Sequence, residues 1–160
     1  MRLVPDTDVL LSGLRSTVGA SRVLLQAVEA GMVTPLVSVA TVIEYEAVLK
    51  RTEHLQAAGL DVGEVDRFLD DFVAHADQIT PYFHTRPSVR DPDDEMFAEL
   101  AINGQADALI LARLSLDLSN VGVVGQGAEA LWGELVPSMA ERVHDGVVSG
   151  QQPVAEMALT

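Results

Sequence analysis

Short apolar runs alternate with longer stretches of helical period along most of this chain. Residues 2–5, Arg-Leu-Val-Pro, read as a short buried strand that ends at Pro5 and the acids behind it. "SGLRSTVGAS" reads as a loop, and a helix over Arg22–Ala30 starts from Ser21 or Gly19. Val23, Leu24, Ala27 and Val28 share one face of it. Val33–Val37 is a short β-rich run. Ser38 then caps a second helical segment, apolar at Val42, Ile43, Ala47 and Leu49. Helical spacing returns over Val62–Ala74 through Val65, Phe68, Leu69 and Val73, and "DQITPYF" is a short strand or an extended segment. The stretch Pro92-Asp93-Asp94-Glu95 opens another helix, because acids in a first turn complement the helix dipole. Its apolar face is Met96, Phe97, Leu100 and Ala101, and Asn103-Gly104 ends it. "DALILA" and "VGVVG" are runs of the kind buried in parallel sheets, and "AEALWGEL" reads as a last helix.

Strands alternating with helices predict an α/β domain with a mostly parallel sheet. Residues 1–136 form that domain, and 137–160 are a less regular extension, either an added helix or a flexible end. At 160 residues one domain with a real core is expected. No apolar run reaches the roughly 18 residues that span a bilayer, and the start lacks the pattern of a signal peptide. With no cysteine there is neither a disulfide framework nor a thiolate metal site, in keeping with a cytoplasmic protein that makes no membrane contact. Charge changes the picture more. There are 24 acids against 10 basic residues, a formal charge of −14. Such a chain repels phosphate backbones at long range, unless some of its carboxylates gather a cation.

Ligands of parallel α/β sheets bind at the carboxyl ends of the strands, and Asp6 and Asp8 fall where the first strand ends. They share a side if the strand continues. If a turn intervenes they diverge, and Thr7 or Asp8 caps it. Glu44, between Ile43 and Tyr45, is either a solvated helix residue or an acid turned toward the same cleft. The run Asp91-Pro92-Asp93-Asp94-Glu95 packs four acids into five residues. It serves the helix dipole, or a hard cation relieves its repulsion. Mg²⁺ or Mn²⁺ takes one or two carboxylates together with water and phosphate, a site suited to phosphodiester cleavage.

These segments resemble a known family. "VPDTDVLLSGL" is similar to the opening Asp-Thr-Asn-Val-Leu-Val-Ser-Ala-Leu of PIN-domain ribonucleases, and "SVATVIEYEAVLKR" to their Glu-bearing second helix. "RDPDDEMFAELAINGQADALI" resembles the Arg-Asp-Pro-Asp-Asp-Asp-x-Phe segment of the subgroup that acts as toxins in toxin–antitoxin pairs. Order and spacing match over residues 2–135. The resemblance implies a three-layer α/β/α fold, single-stranded RNA as substrate, and Mg²⁺ or Mn²⁺ as cofactor. It also implies a cognate antitoxin and a homodimer. Position by position, Asp6 matches the first metal-binding acid, Glu44 the second and Asp94 the third. Asp91 and Asp93 are neighbours able to share that third role, Asp91 as a further ligand. Thr7 and Ser12 match polar positions that support Asp6, and Asp8 falls to a turn or supporting role. Where the family continues Thr-Gly-Asp after "ADALI", this chain has Leu111-Ala112-Arg113. Arg113 thus replaces a fourth acid, and Asp117 is the nearest carboxylate that could stand in. The expected function is a metal-dependent endoribonuclease. The alternative is a degenerate PIN domain that binds RNA or a partner protein without cutting.

Other chemistry fits less well. Asp6-x-Asp8 is also similar to the nucleophile motif of haloacid-dehalogenase phosphatases, but the single lysine, Lys50, falls in the Glu44 helix. His54, His75, His84 and His144 show no metal-ligand spacing, and no Gly-x-x-x-x-Gly-Lys loop exists. Trp132, with Leu131 and Leu135, reads as a helix face that closes the core or meets a partner. Arg15, Arg22, Lys50, Arg51, Arg86 and Arg90 read as scattered surface charge.

Overall fold

The computed structural model describes residues 1–82, 95–112 and 121–124. The first apolar run is strand β1 (Arg2–Pro5), followed at once by helix α1 (Thr7–Arg15). Helix α2 (Ala20–Glu29) starts behind Gly19, whose φ of 122° suits a residue without a side chain. Strand β2 (Thr34–Val37) leads into α3 (Val39–Leu49), where Ser38 and Thr41 cap each other reciprocally. Helices α4 (Thr52–Ala58) and α5 (Val62–Ala74) follow. Gly59 in the left-handed region stops the first, and the Asp61–Glu64 capping box starts the second. Strand β3 (Asp77–Gln78), helix α6 (Glu95–Asn103) and strands β4 (Ala108–Ala112) and β5 (Val121–Val124) complete the described elements.

The strands form one sheet in the order β3-β2-β1-β4-β5. The first four are mutually parallel, and β5 runs antiparallel to β4 along the outer edge. Helices pack on both faces in three layers, α/β/α, as the sequence predicts. β1 lies at the centre, with Leu3 beside both Pro35 and Ala108. Leu3 and Val4 of β1, Leu36 of β2 and Ile110 of β4 have essentially no exposed surface, and neither do Leu10, Leu24 and Leu100 from the helices. Each such leucine or isoleucine contributes about 1.5–3 kcal/mol by leaving water. At the amino edge of the sheet, Asp107 accepts the Arg2 backbone N–H at 2.7 Å, and the Arg2 guanidinium donates to the Gly104 carbonyl at 2.7 Å. That edge is closed by its own polar pairs, so the carboxyl edge is the one that carries side-chain chemistry.

Besides β5, a run read as of the parallel-sheet kind that instead pairs antiparallel at the edge, two elements depart from the sequence reading. "SGLRSTVGAS" is not all loop, because α1 runs through Ser12, Gly13 and Leu14 to Arg15. Gly13, inside that stretch, is buried where α1 crosses α2. A β-carbon there would stand 2.6 Å from Leu25 Cδ1 and 3.0 Å from the Ser21 carbonyl oxygen. The second departure is α4, which periodicity did not reveal because none of its seven residues is fully buried. The proposed last helix, with Trp132, and the extension 137–160 lie outside the described residues.

Candidate functional site at the carboxyl edge

Asp6 is the residue at which β1 becomes α1. Its backbone is extended (φ −76°, ψ 173°), and its carboxylate Oδ1 accepts the Val9 N–H at 2.7 Å. It is therefore the N-cap of α1, a position for which aspartate is among the best residues. Its own N–H still donates to the Ile110 carbonyl of β4, at 2.9 Å. The turn that separates Asp6 from Asp8 is thus capped by Asp6 itself, not by Thr7 or Asp8. With 6% of its surface exposed, Asp6 is a buried carboxylate at the end of the central strand. Buried carboxylates are retained when hydrogen bonds or cations compensate them.

Its neighbours diverge with the helix. Thr7 is 8% exposed, and its Oγ1 has no hydrogen-bond partner among the described residues. Asp8 is half-buried in the first turn of α1; burial pushes its carboxyl above the usual range, and the nearby His54 opposes that shift. Ser12 is exposed further along α1.

Glu44 is half-buried on α3. What ties its helix to Asp6 is the next residue, Tyr45, which has no exposed surface. The Tyr45 phenol donates to the Pro5 carbonyl at 2.6 Å, across 40 positions of sequence. Its ring stacks on Phe97 of α6, centroids 5.8 Å apart, and meets Phe72 of α5 edge-on at 6.1 Å. Burial first, and the Asp6 carboxylate second, push the phenol well above its ordinary pKa. It is a permanent donor at neutral pH. Consecutive helix residues point about 100° apart, so Glu44 flanks the face that Tyr45 directs at β1. Sequence reasoning missed Tyr45. The available signal was a polar aromatic inside an otherwise apolar helix face, since a buried tyrosine hydroxyl needs a partner.

Asp91, Asp93 and Asp94, together with Arg113 and Asp117, lie outside the described residues. So do His84, Arg86, Arg90 and His144. Among the described residues, no three His, Asp or Glu side chains stand close enough to hold a metal ion. The candidate donors that are described, the buried Asp6 carboxylate and the half-buried Glu44, are oxygens. Their chemistry is that of a hard cation taking one or two protein carboxylates with water and phosphate. A cavity of about 240 Å³ between α3, α5 and the end of β3 is different in kind. Val39, Val42, Ile43, Val73 and Ile79 line it together with Ser38, Gln78 and Thr80, and none of its lining among the described residues is a carboxylate.

A mostly parallel sheet covered on both faces, with a buried acid at the carboxyl end of its central strand, defines an α/β/α domain of the kind that binds at that edge. Residues 2–111, more than half of the chain, match the family model described as PIN domain. The chain belongs to the PIN domain family, a membership that points to nuclease-type function and to nucleic acid as its partner. No curated protein and no solved structure matches it.

Proposed function

We propose that this protein is an Mg²⁺- or Mn²⁺-dependent endoribonuclease of single-stranded RNA, the toxin of a cytoplasmic toxin–antitoxin pair. The observation that carries the proposal is Asp6, a buried carboxylate fixed by three elements at the carboxyl end of the central strand of a PIN domain. Asp6 and Glu44 hold the cation in this reading, with Asp94 as third acid and Asp91 and Asp93 beside it. The cation supplies an activated water and screens charge developing on the phosphate. Asp6 contributes a fixed negative charge whose orientation the α1 cap and the Ile110 bond maintain. The chain's excess of acids favours cation uptake and opposes RNA approach until the charge is compensated. A cognate antitoxin and a homodimer belong to the same reading, on the strength of the sequence resemblance.

Asp6→Asn tests the proposal without dismantling the fold, because asparagine caps a helix about as well as aspartate. Wild-type protein with Mn²⁺ is expected to cut labelled single-stranded RNAs. Asp6→Asn should do so at least about a hundredfold more slowly, an effect of the size seen when a charge-stabilising group is removed. Equal, background-level cleavage by both proteins sinks the catalytic claim.

Arg113 supports a second reading, a PIN domain that binds RNA or a partner without cutting. An always-protonated guanidinium at a position where the family has an acid would make a pocket there less negative by about two charges. Calorimetric titration with Mn²⁺ separates the two, since a dead site shows no binding that depends on Asp6 and Asp94.

A further inference from the structure

The Pro5–Asp6 peptide is held from both sides. Its carbonyl accepts the Tyr45 phenol at 2.6 Å, and its N–H donates to the Ile110 carbonyl at 2.9 Å. A peptide group is planar, so two bonds on opposite sides fix its rotation about the chain. The Asp6 carboxylate, three bonds beyond that nitrogen, is then aimed by the Val9 N–H. Ordinary strand pairing explains the Ile110 bond, since Ile110 lies in β4. It does not explain the other. The register that sets Leu3 beside Pro35 brings Pro5 level with Val37, the last residue of β2. The next N–H, that of Ser38, has turned away to its own cap on Thr41 Oγ1 at 3.0 Å. A side chain takes over where the ladder stops.

That side chain cannot easily turn aside. The Tyr45 ring is enclosed, stacked on Phe97 and met edge-on by Phe72. A phenylalanine would fill the same space, so the hydroxyl adds one directed bond to a packing role that does not require it. We infer that Tyr45 is a positioning residue: through the Pro5 carbonyl, its phenol sets where Asp6 stands relative to Glu44, the preceding residue of the same helix. The inference deepens the cation-site reading and rests on it. Tyr45 acts through Pro5 and Asp6, so its loss is felt as a misplaced carboxylate.

Tyr45→Phe keeps the ring and removes the phenol oxygen. Val28→Ala, in the α2 part of the core, is the control for a destabilised fold. Two quantities are read on the purified full chain: Mn²⁺ affinity by calorimetry, and amide hydrogen exchange in the metal-free protein. Tyr45→Phe is expected to weaken Mn²⁺ binding about tenfold, the scale on which residues that orient ligands act. Exchange at the Asp6 and Val9 amides should rise about tenfold more than at Leu69 in α5. Val28→Ala should raise exchange without singling out Asp6 and Val9, and leave Mn²⁺ affinity as it is. Wild-type Mn²⁺ affinity in Tyr45→Phe, or an exchange increase that does not favour Asp6 and Val9, overturns the inference. If the wild-type protein binds no Mn²⁺, the cation-site reading fails by itself, and the exchange pattern then decides alone whether Tyr45 holds Asp6.

Discussion

Asp6 does two jobs that usually fall to different residues. As a cap it satisfies an orphan N–H of α1, and as a buried acid it supplies charge at the edge of the sheet. Tyr45 shows the same economy, filling core space with its ring and holding a carbonyl with its hydroxyl. Its raised pKa has a consequence for stability. Below about pH 10 the phenol is protonated in both the folded and the unfolded chain, and its contribution is complete. Above that pH the unfolded chain releases a proton that the folded protein keeps, so stability falls. Urea unfolding at pH 8, 10 and 11 should show a steeper loss for wild type than for Tyr45→Phe, by up to about 1.4 kcal/mol per pH unit. Parallel slopes would show that the phenol is not held in its neutral form. Asp6 could be read from sequence because an acid directly behind a buried apolar run is conspicuous. The partner of Tyr45 could not, since periodicity reveals which face a residue occupies and not the carbonyl it meets forty positions away.

Among the elements, α1 was the hardest to see. Ser12 and Gly13 look like loop residues, and only the contact with α2 shows why a glycine sits inside a helix. An exposed helical glycine replaced by alanine stabilises by roughly 1 kcal/mol. Here the added methyl meets Leu25 and the Ser21 carbonyl. Gly13→Ala is therefore expected to destabilise by about 1–3 kcal/mol, as overpacking does, measured by denaturant unfolding. A stabilised variant would mean that α2 yields readily. Helices α3 and α5 were easier. Ser38 and Asp61 are caps with a reciprocating residue three positions on, a signal that requires no knowledge of the rest of the fold. The order of strands was not available that way. Nothing local in "DALILA" says that it lies beside the first strand and not beside the second.

At the scale of the whole molecule, a charge of −14 acts on the fold as well as on its ligands. Few cations are at hand to offset it. Lys50 pairs with Glu46 at 2.6 Å and with Asp66 at 2.5 Å, and Arg2 with Asp77 at 3.2 Å. All are partly exposed pairs of small individual weight. Raising NaCl from about 0.05 to 0.5 M shortens the Debye length severalfold, and self-repulsion should fall with it. The melting temperature is expected to rise by roughly 2–4 °C, corresponding to about 1 kcal/mol in a domain of this size. A melting temperature that drops with salt would show that attractive pairs dominate.

The central place of β1 also bears on how the protein comes into being. Strand β1 is paired on one side by β2 and on the other by β4, more than a hundred residues later. While the chain is being synthesised, Asp6 exists from the start, yet the carbonyl that receives its N–H arrives only with Ile110. The ring that stacks on Tyr45 arrives only with Phe97. A chain that stops short of β4 therefore carries Asp6 without the bond that holds its backbone, so the setting of this carboxylate depends on a contact made more than a hundred residues later.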